Sequence, residues 1–170
     1  MNSHYLCSME SIVLNHLTIG YKHKVVATDL QAGLHAGEFT CLLGPNGVGK
    51  STLLRTLSGF IPPLKGCVEL SGKDISQLKP YECAQQIGVV LTTKLDTANI
   101  TVAELVGMGR YPYTGFFGRL KANDQQIVDE AMAMTGVKPL QSRLIHTLSD
   151  GERQKTMIAK ALAQQTPVIF

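Results

Sequence analysis

The chain has 170 residues, of which 44 % are hydrophobic and 17 % charged, with a formal net charge of +3. That length suits about one ordered domain with enough apolar surface for a sizeable core. The charge is mild and contains no Lys or Arg run, so a nucleic-acid groove, and nucleic acid as a partner, are not expected.

The N-terminus, Met1 to Cys7, lacks the basic start and apolar stretch of a signal peptide, and no segment approaches 18 consecutive apolar residues. A cytosolic chain without its own membrane span is expected. Cys7, Cys41, Cys67 and Cys83 are widely separated, which rules out a CxxC redox or zinc pattern and predicts reduced, mostly structural thiols. Ile12 to Ile19 mixes β-branched and polar residues as a strand does, and Val25 to Leu30 forms a second candidate before a turn at Gly33 and Gly37. Glu38 to Leu43 then reads as a buried strand, with Cys41 inside it.

The next nine residues, Gly44-Pro45-Asn46-Gly47-Val48-Gly49-Lys50-Ser51-Thr52, fit the pattern G-x-x-x-x-G-K-[ST] without a mismatch. Glycines let the backbone turn its amides inward and approach a phosphate closely. Lys50 supplies a cation for the β- and γ-phosphates, Ser51 a hydroxyl for Mg²⁺, and Thr52 extends the cradle toward the α-phosphate. A helix predicted over Ser51 to Ser58, with Leu53, Leu54 and Leu57, adds the positive end of its dipole. A strand before the loop and a helix after it are the context such a site needs.

Pro62-Pro63 closes this region, Gly66 to Leu70 reads as a strand and Ser71-Gly72-Lys73 as a turn. Pro80 to Gln86 suggests a short helix leading into the apolar run Ile87 to Leu91, read as a buried parallel strand of a mixed sheet. Beyond it, Thr101 to Met108 and Asn123 to Thr135 have helical periodicity, with Gly136 placed as a C-terminal cap. A helical insert over about residues 93–147 follows from this. Inside it, Gly109 to Phe117 carries four aromatics, and its Pro and Gly content excludes a simple helix; it either packs the insert or forms a docking surface for another protein.

Leu148-Ser149-Asp150-Gly151-Glu152-Arg153-Gln154 opens a further helix whose apolar positions Met157, Ile158, Ala161 and Leu162 fit one face. Locally it is a capping box, with Ser149 accepting from the Glu152 amide and Glu152 reaching back to the Ser149 amide. Pro167 to Phe170 reads as the start of another buried strand.

Together the phosphate loop, the helical insert and the Leu148 to Gln154 segment resemble the ABC transporter ATPase family from about Ile12 to Phe170. The resemblance implies an α/β P-loop NTPase core with N-terminal antiparallel strands and a helical subdomain. Its parts would be 1–92, 93–147 and 148–170. It implies ATP and Mg²⁺ as cofactors, with Tyr21 in Gly20-Tyr21-Lys22 as the adenine-stacking aromatic. It also implies that Ser149, Asp150, Gly151 and Glu152 start a helix meeting the ATP of a second copy, packed head to tail. Membrane permease subunits would be the other partners, on the cytoplasmic face of a bacterial inner membrane. The stretch Gly109 to Pro112 is similar to one in the importers of iron-siderophore, haem or cobalamin.

Three departures accompany the resemblance. The family usually has Gln where Thr92 stands, so direct Mg²⁺ coordination there is in doubt. Asp150 and Glu152 replace Gly and Gln, placing two carboxylates where a γ-phosphate would approach, repulsive unless they point away or pair with a cation such as Arg153. The family's Asp, Glu and later His, which hold the metal, polarise water and sense the γ-phosphate, lie beyond the strand at Pro167 to Phe170, so the chain reads as a fragment, incomplete at the C-terminus. No catalytic residue is therefore expected within it, and hydrolysis by these residues alone is not expected. Val168, Ile169 and Phe170 would lie near an unfinished sheet edge. A non-transport ABC ATPase and a non-hydrolysing nucleotide-binding module are the alternative readings.

Overall fold

The computed structural model describes residues 10–91, 99–115 and 118–170. Two compact units divide the chain, Met1–Cys83 and Ala84–Phe170.

The first unit is built on an antiparallel sheet of four strands in the order β2-β1-β3-β4, with β1 Glu10–Tyr21, β2 Lys24–His35, β3 Lys65–Leu70 and β4 Lys73–Asp74. Along β1 the buried hydrophobic residues are Ile12 and Leu14, then Leu17 and Ile19, so the parity of the apolar core positions switches from even to odd. The switch falls at His16, whose φ of 46° marks an extra residue in β1 against both neighbours: Leu14 and Leu17 face Ala32 and Leu30, and Asn15 and Thr18 face Cys67 and Lys65. A bulge of one residue turns every later side chain over, which keeps the hydrophobic set inside. β2 runs through Gly33 to His35, so the expected turn lies only at Ala36–Gly37.

Helix α1, Lys50–Leu57, follows the glycine loop as expected. It ends at Gly59, whose φ of 73° admits the bonds Phe60 N–H to Arg55 O (2.9 Å) and Gly59 N–H to Thr56 O (3.0 Å). The Ser71–Gly72 turn joins β3 to β4, and α2 spans Pro80–Ala84.

Residues 38–43 depart from expectation. Among the described residues no strand pairs with them, Phe39 and Leu43 are 93 % and 87 % exposed, and Cys41 is exposed as well. An extended apolar segment becomes a buried strand only when a neighbour supplies its ladder, and none is paired here. The remaining described thiols, Cys67 and Cys83, are free and half-buried; Cys7 lies outside the described residues.

In the second unit α3 Val102–Gly107, α4 Ala122–Met134 and α5 Asp150–Ala163 enclose a core that includes Val102, Leu105, Val106, Val128, Met132 and Met157. Gly136 ends α4 as expected, through Val137 N–H to Met132 O (2.9 Å) and Gly136 N–H to Ala133 O (3.0 Å). The inner face of α5 is Thr156, Met157, Ala159, Ala161 and Ala163, whereas Ile158, expected inside, is exposed. Strand β5, Ile87–Gly88, pairs in parallel with β6, Val168–Ile169, and the ladder extends through Val90 N–H to Phe170 O at 2.7 Å. The parallel pair and the four antiparallel strands form separate sheets, where one mixed sheet was expected. Ile169 is exposed and Val168 and Phe170 are half-buried.

Candidate nucleotide site

The glycine loop comes directly before α1, with Gly47 at φ 82° and Gly49 at φ 109°. Both values lie where only glycine is comfortable. A Cβ on Gly49 would stand 2.3 Å from Val26 Cγ1, so the loop also passes too close to β2 for any side chain. Gly49 serves as the N-cap, and no side chain caps the helix. The first turn holds no acidic residue either, which leaves the α1 dipole and first-turn amides without a protein anion. Lys50 Nζ donates to the carbonyls of Gly44 (2.7 Å) and Pro45 (2.8 Å), keeping the ammonium across the start of the loop. Asn46 and Val48 are exposed with the loop, and Ser51 is exposed on the first turn of α1. These features fit a bound phosphate: backbone donors, a nearby cation, and no carboxylate in the first turn of α1.

Tyr21 ends β1 and is half-exposed, and hydrogen bonds from Thr52 and then Arg55 lower its phenol pKa from the ordinary value. Thr52, expected toward an α-phosphate, is buried on the first turn of α1. Arg55 was not singled out in the sequence, where one Arg on the helix has no distinguishing spacing.

Ser51 is the metal-directed residue that the structure describes; Thr92 lies outside the described residues. Among the described residues no group of three His, Cys, Asp or Glu could hold a metal ion.

In the other unit, Ser149 is the N-cap of α5 and the reciprocal box forms. Glu152 Oε2 accepts from Ser149 N–H at 2.8 Å and Ser149 Oγ at 2.9 Å, and Ser149 Oγ accepts from Glu152 N–H at 3.3 Å. Asp150 pairs with Arg153 at 3.1 Å, the cation expected for it. Glu152 Oε1 is 3.5 Å from Arg143 Nη1, a partner the sequence did not mark because it stands nine residues earlier in an irregular loop. Gly151 is exposed, and an added Cβ would meet nothing within 4 Å.

The Gly109 to Phe117 segment is a 3₁₀ turn over Met108–Tyr113, with Phe116 and Phe117 outside the described residues. Arg110 is buried at its centre. Its guanidinium donates to Asp124 Oδ1 (3.0 Å), Ala163 O (2.9 Å) and Gln165 Oε1 (3.2 Å), and stacks 4.2 Å from the Tyr113 ring centroid. Gln85 Nε2 donates to Pro112 O at 2.9 Å, and Gln164 Nε2 to the carbonyls of Ala84 and Ile87. The turn is therefore fastened to α4, α5 and the start of β5. Tyr111 and Tyr113 remain partly exposed, and Tyr111, Met108 and Leu120 help line a groove of about 310 Å³.

A glycine loop of this geometry before an uncapped helix defines a P-loop nucleotide-binding domain. The chain belongs to the ABC transporter family, whose model matches residues 27–170. It is 42 % identical over 154 residues to the ferric enterobactin transport ATP-binding protein FepC of Escherichia coli, covering 91 % of this chain and 57 % of that protein. It is 38 % identical over 162 residues to the iron(3+)-hydroxamate import ATP-binding protein FhuC of Bacillus subtilis, covering 95 % and 60 %. Among solved structures, cbiO1 of Clostridium perfringens, part of the ABC transporter complex cbiONQ, superposes with a TM-score of 0.80 at 25 % identity, over 94 % of this chain and 64 % of that one. The chain thus spans less than two thirds of each of these proteins. ATP is the ligand this family implies. Among the described residues, no helix is long and apolar enough to cross a membrane.

Proposed function

We propose that this chain is the nucleotide-binding part of an ABC importer subunit. ATP would lie with its phosphates on Gly44 to Thr52, Lys50 exchanging its two carbonyl partners for β- and γ-phosphate oxygens. Mg²⁺ would sit at the Ser51 hydroxyl and offset phosphate charge, and Tyr21 would stack on the adenine. The start of α5, with Ser149 and Gly151, would meet the nucleotide of a second copy. Membrane permease subunits are the other partners in this reading, docking on the exposed Tyr111 and on Tyr113, which stacks on Arg110. The cargo class is an iron chelate, following the names of two relatives of about 40 % identity. No residue of this chain is assigned as catalytic base.

The observation that carries the reading is the α1 N-terminus: no side-chain cap, no carboxylate, and a left-handed glycine pressed against Val26. Calorimetry tests it. Lys50→Ala should abolish ATP binding, whereas unchanged affinity would sink the assignment of the loop.

A further inference from the structure

The two helices assigned to phosphate begin in opposite states. α1 carries no anion at its start, while α5 begins with Asp150 and Glu152. Asp150 is countered by Arg153 one turn on and points into solvent. Glu152 sits on the donors themselves, taking both the Ser149 amide and the Ser149 hydroxyl hydrogen. A hydroxyl has one proton to give, and Ser149 gives it to Glu152. These bonds, the Ser149 amide first and its hydroxyl second, hold the Glu152 carboxyl below the usual carboxylate range, with smaller help from Arg143 and Lys155. At neutral pH the start of α5 therefore carries its own bound anion.

We propose that Glu152 is a built-in competitor for the phosphate that α5 receives from a second copy, so that it limits how readily nucleotide draws two copies together. This inference rests on the trans contact proposed above. Engagement requires the Ser149 Oγ to Glu152 Oε2 bond to open and the hydroxyl to donate to a phosphate oxygen instead. Arg143 is placed to retain the displaced carboxylate, being 3.5 Å from Oε1 and anchored by donation to Thr147 O at 2.6 Å. Gln at 152 keeps the reciprocal cap, because an amide oxygen accepts the same bonds. It removes only the negative charge that opposes a phosphate in that place. α3 carries the same device outside the Leu148 to Gln154 segment, with Thr101 N–H and Oγ1 donating to Glu104 Oε2 at 2.8 and 2.7 Å. It serves as an internal control.

The test uses the full-length encoded protein with Mg²⁺ and a slowly hydrolysed ATP analogue. Self-association is followed by sedimentation velocity, and single-protomer affinity is measured separately at low protein concentration. Glu152→Gln should strengthen nucleotide-dependent association roughly three- to tenfold, as expected for removing one charge from a helix N-terminus, with protomer affinity unchanged. Glu104→Gln should change neither. Gly151→Trp, at a position where a side chain meets nothing within 4 Å, should block association without harming the fold. If Gly151→Trp blocks association but Glu152→Gln leaves it equal or weaker, the competitor role is wrong and the trans contact survives. If the analogue draws no copies together, or Gly151→Trp has no effect, the trans contact fails and the inference with it.

Discussion

Arg110 Nε donates to Asp124 Oδ1 at 3.0 Å, with the two side chains only 6 % and 9 % exposed. The pair joins the start of α4 to the end of α5, because Asp124 also caps the Lys121 amide (3.0 Å) and Arg110 also holds Ala163 O. Removing one partner strands a buried charge. Arg110→Ala should destabilise the second unit by roughly 3–5 kcal/mol in denaturant titrations. Arg110→Lys should recover little of that loss, since one ammonium cannot reproduce the fork.

Gly109 packs against the backbone of α5, and a Cβ there would stand 2.3 Å from Lys160 O. Gly109→Ala must push the 3₁₀ turn away from the helix, a cost of about 1–3 kcal/mol. Chemical denaturation should show a lower midpoint with an unchanged slope, while nucleotide affinity at Gly44 to Thr52 stays as in the parent.

The Tyr21 hydroxyl and ring have separable roles. Tyr21→Phe removes the hydroxyl beside Thr52 and Arg55 but keeps the stacking face. Its ATP affinity should fall no more than about threefold, whereas Tyr21→Ala should lose about 1–3 kcal/mol of binding. Equal losses in calorimetry would show that the hydroxyl, and not the ring, matters.

Gly49→Ala introduces a Cβ at φ 109° and 2.3 Å from Val26 Cγ1. The loop would have to leave its amide-in shape, so ATP affinity should drop by at least about tenfold. Circular dichroism should show the helices of the second unit retained.

Asp124, Glu104 and Glu152 all have carboxyl pKa values lowered in the fold, chiefly by backbone amides of Lys121, Thr101 and Ser149. A lowered folded-state value means stability present in full above the unfolded carboxylate range near about 4 and lost as pH falls through the lower folded value. Thermal midpoints should therefore decline below about pH 4. Asp124→Asn should flatten that decline while lowering the midpoint at neutral pH.

Much of the local architecture was readable in order along the chain. The α5 cap needed only Ser149 and Glu152 three residues apart, and the α4 stop needed only Gly136. The glycine spacing of the phosphate loop likewise carries its own backbone geometry. Such features depend on bonds that close within three to six residues, so residue type and spacing nearly suffice.

Other features needed partners far away in sequence. Whether 38–43 is a strand depends on a neighbour that those residues do not encode, and the described residues supply none. Arg110 finds Asp124, Ala163 and Gln165 across 14 to 55 positions, and Glu152 finds Arg143 in an irregular loop. Which face of β1 is inward turned on one bulged residue, His16. The residues alone thus specified a phosphate loop and a capped helix, since local hydrogen bonds define both. Only the tertiary structure set Arg143 beside the Glu152 carboxylate and Val26 against Gly49: a charge's effect depends on what lies within a few ångströms of it.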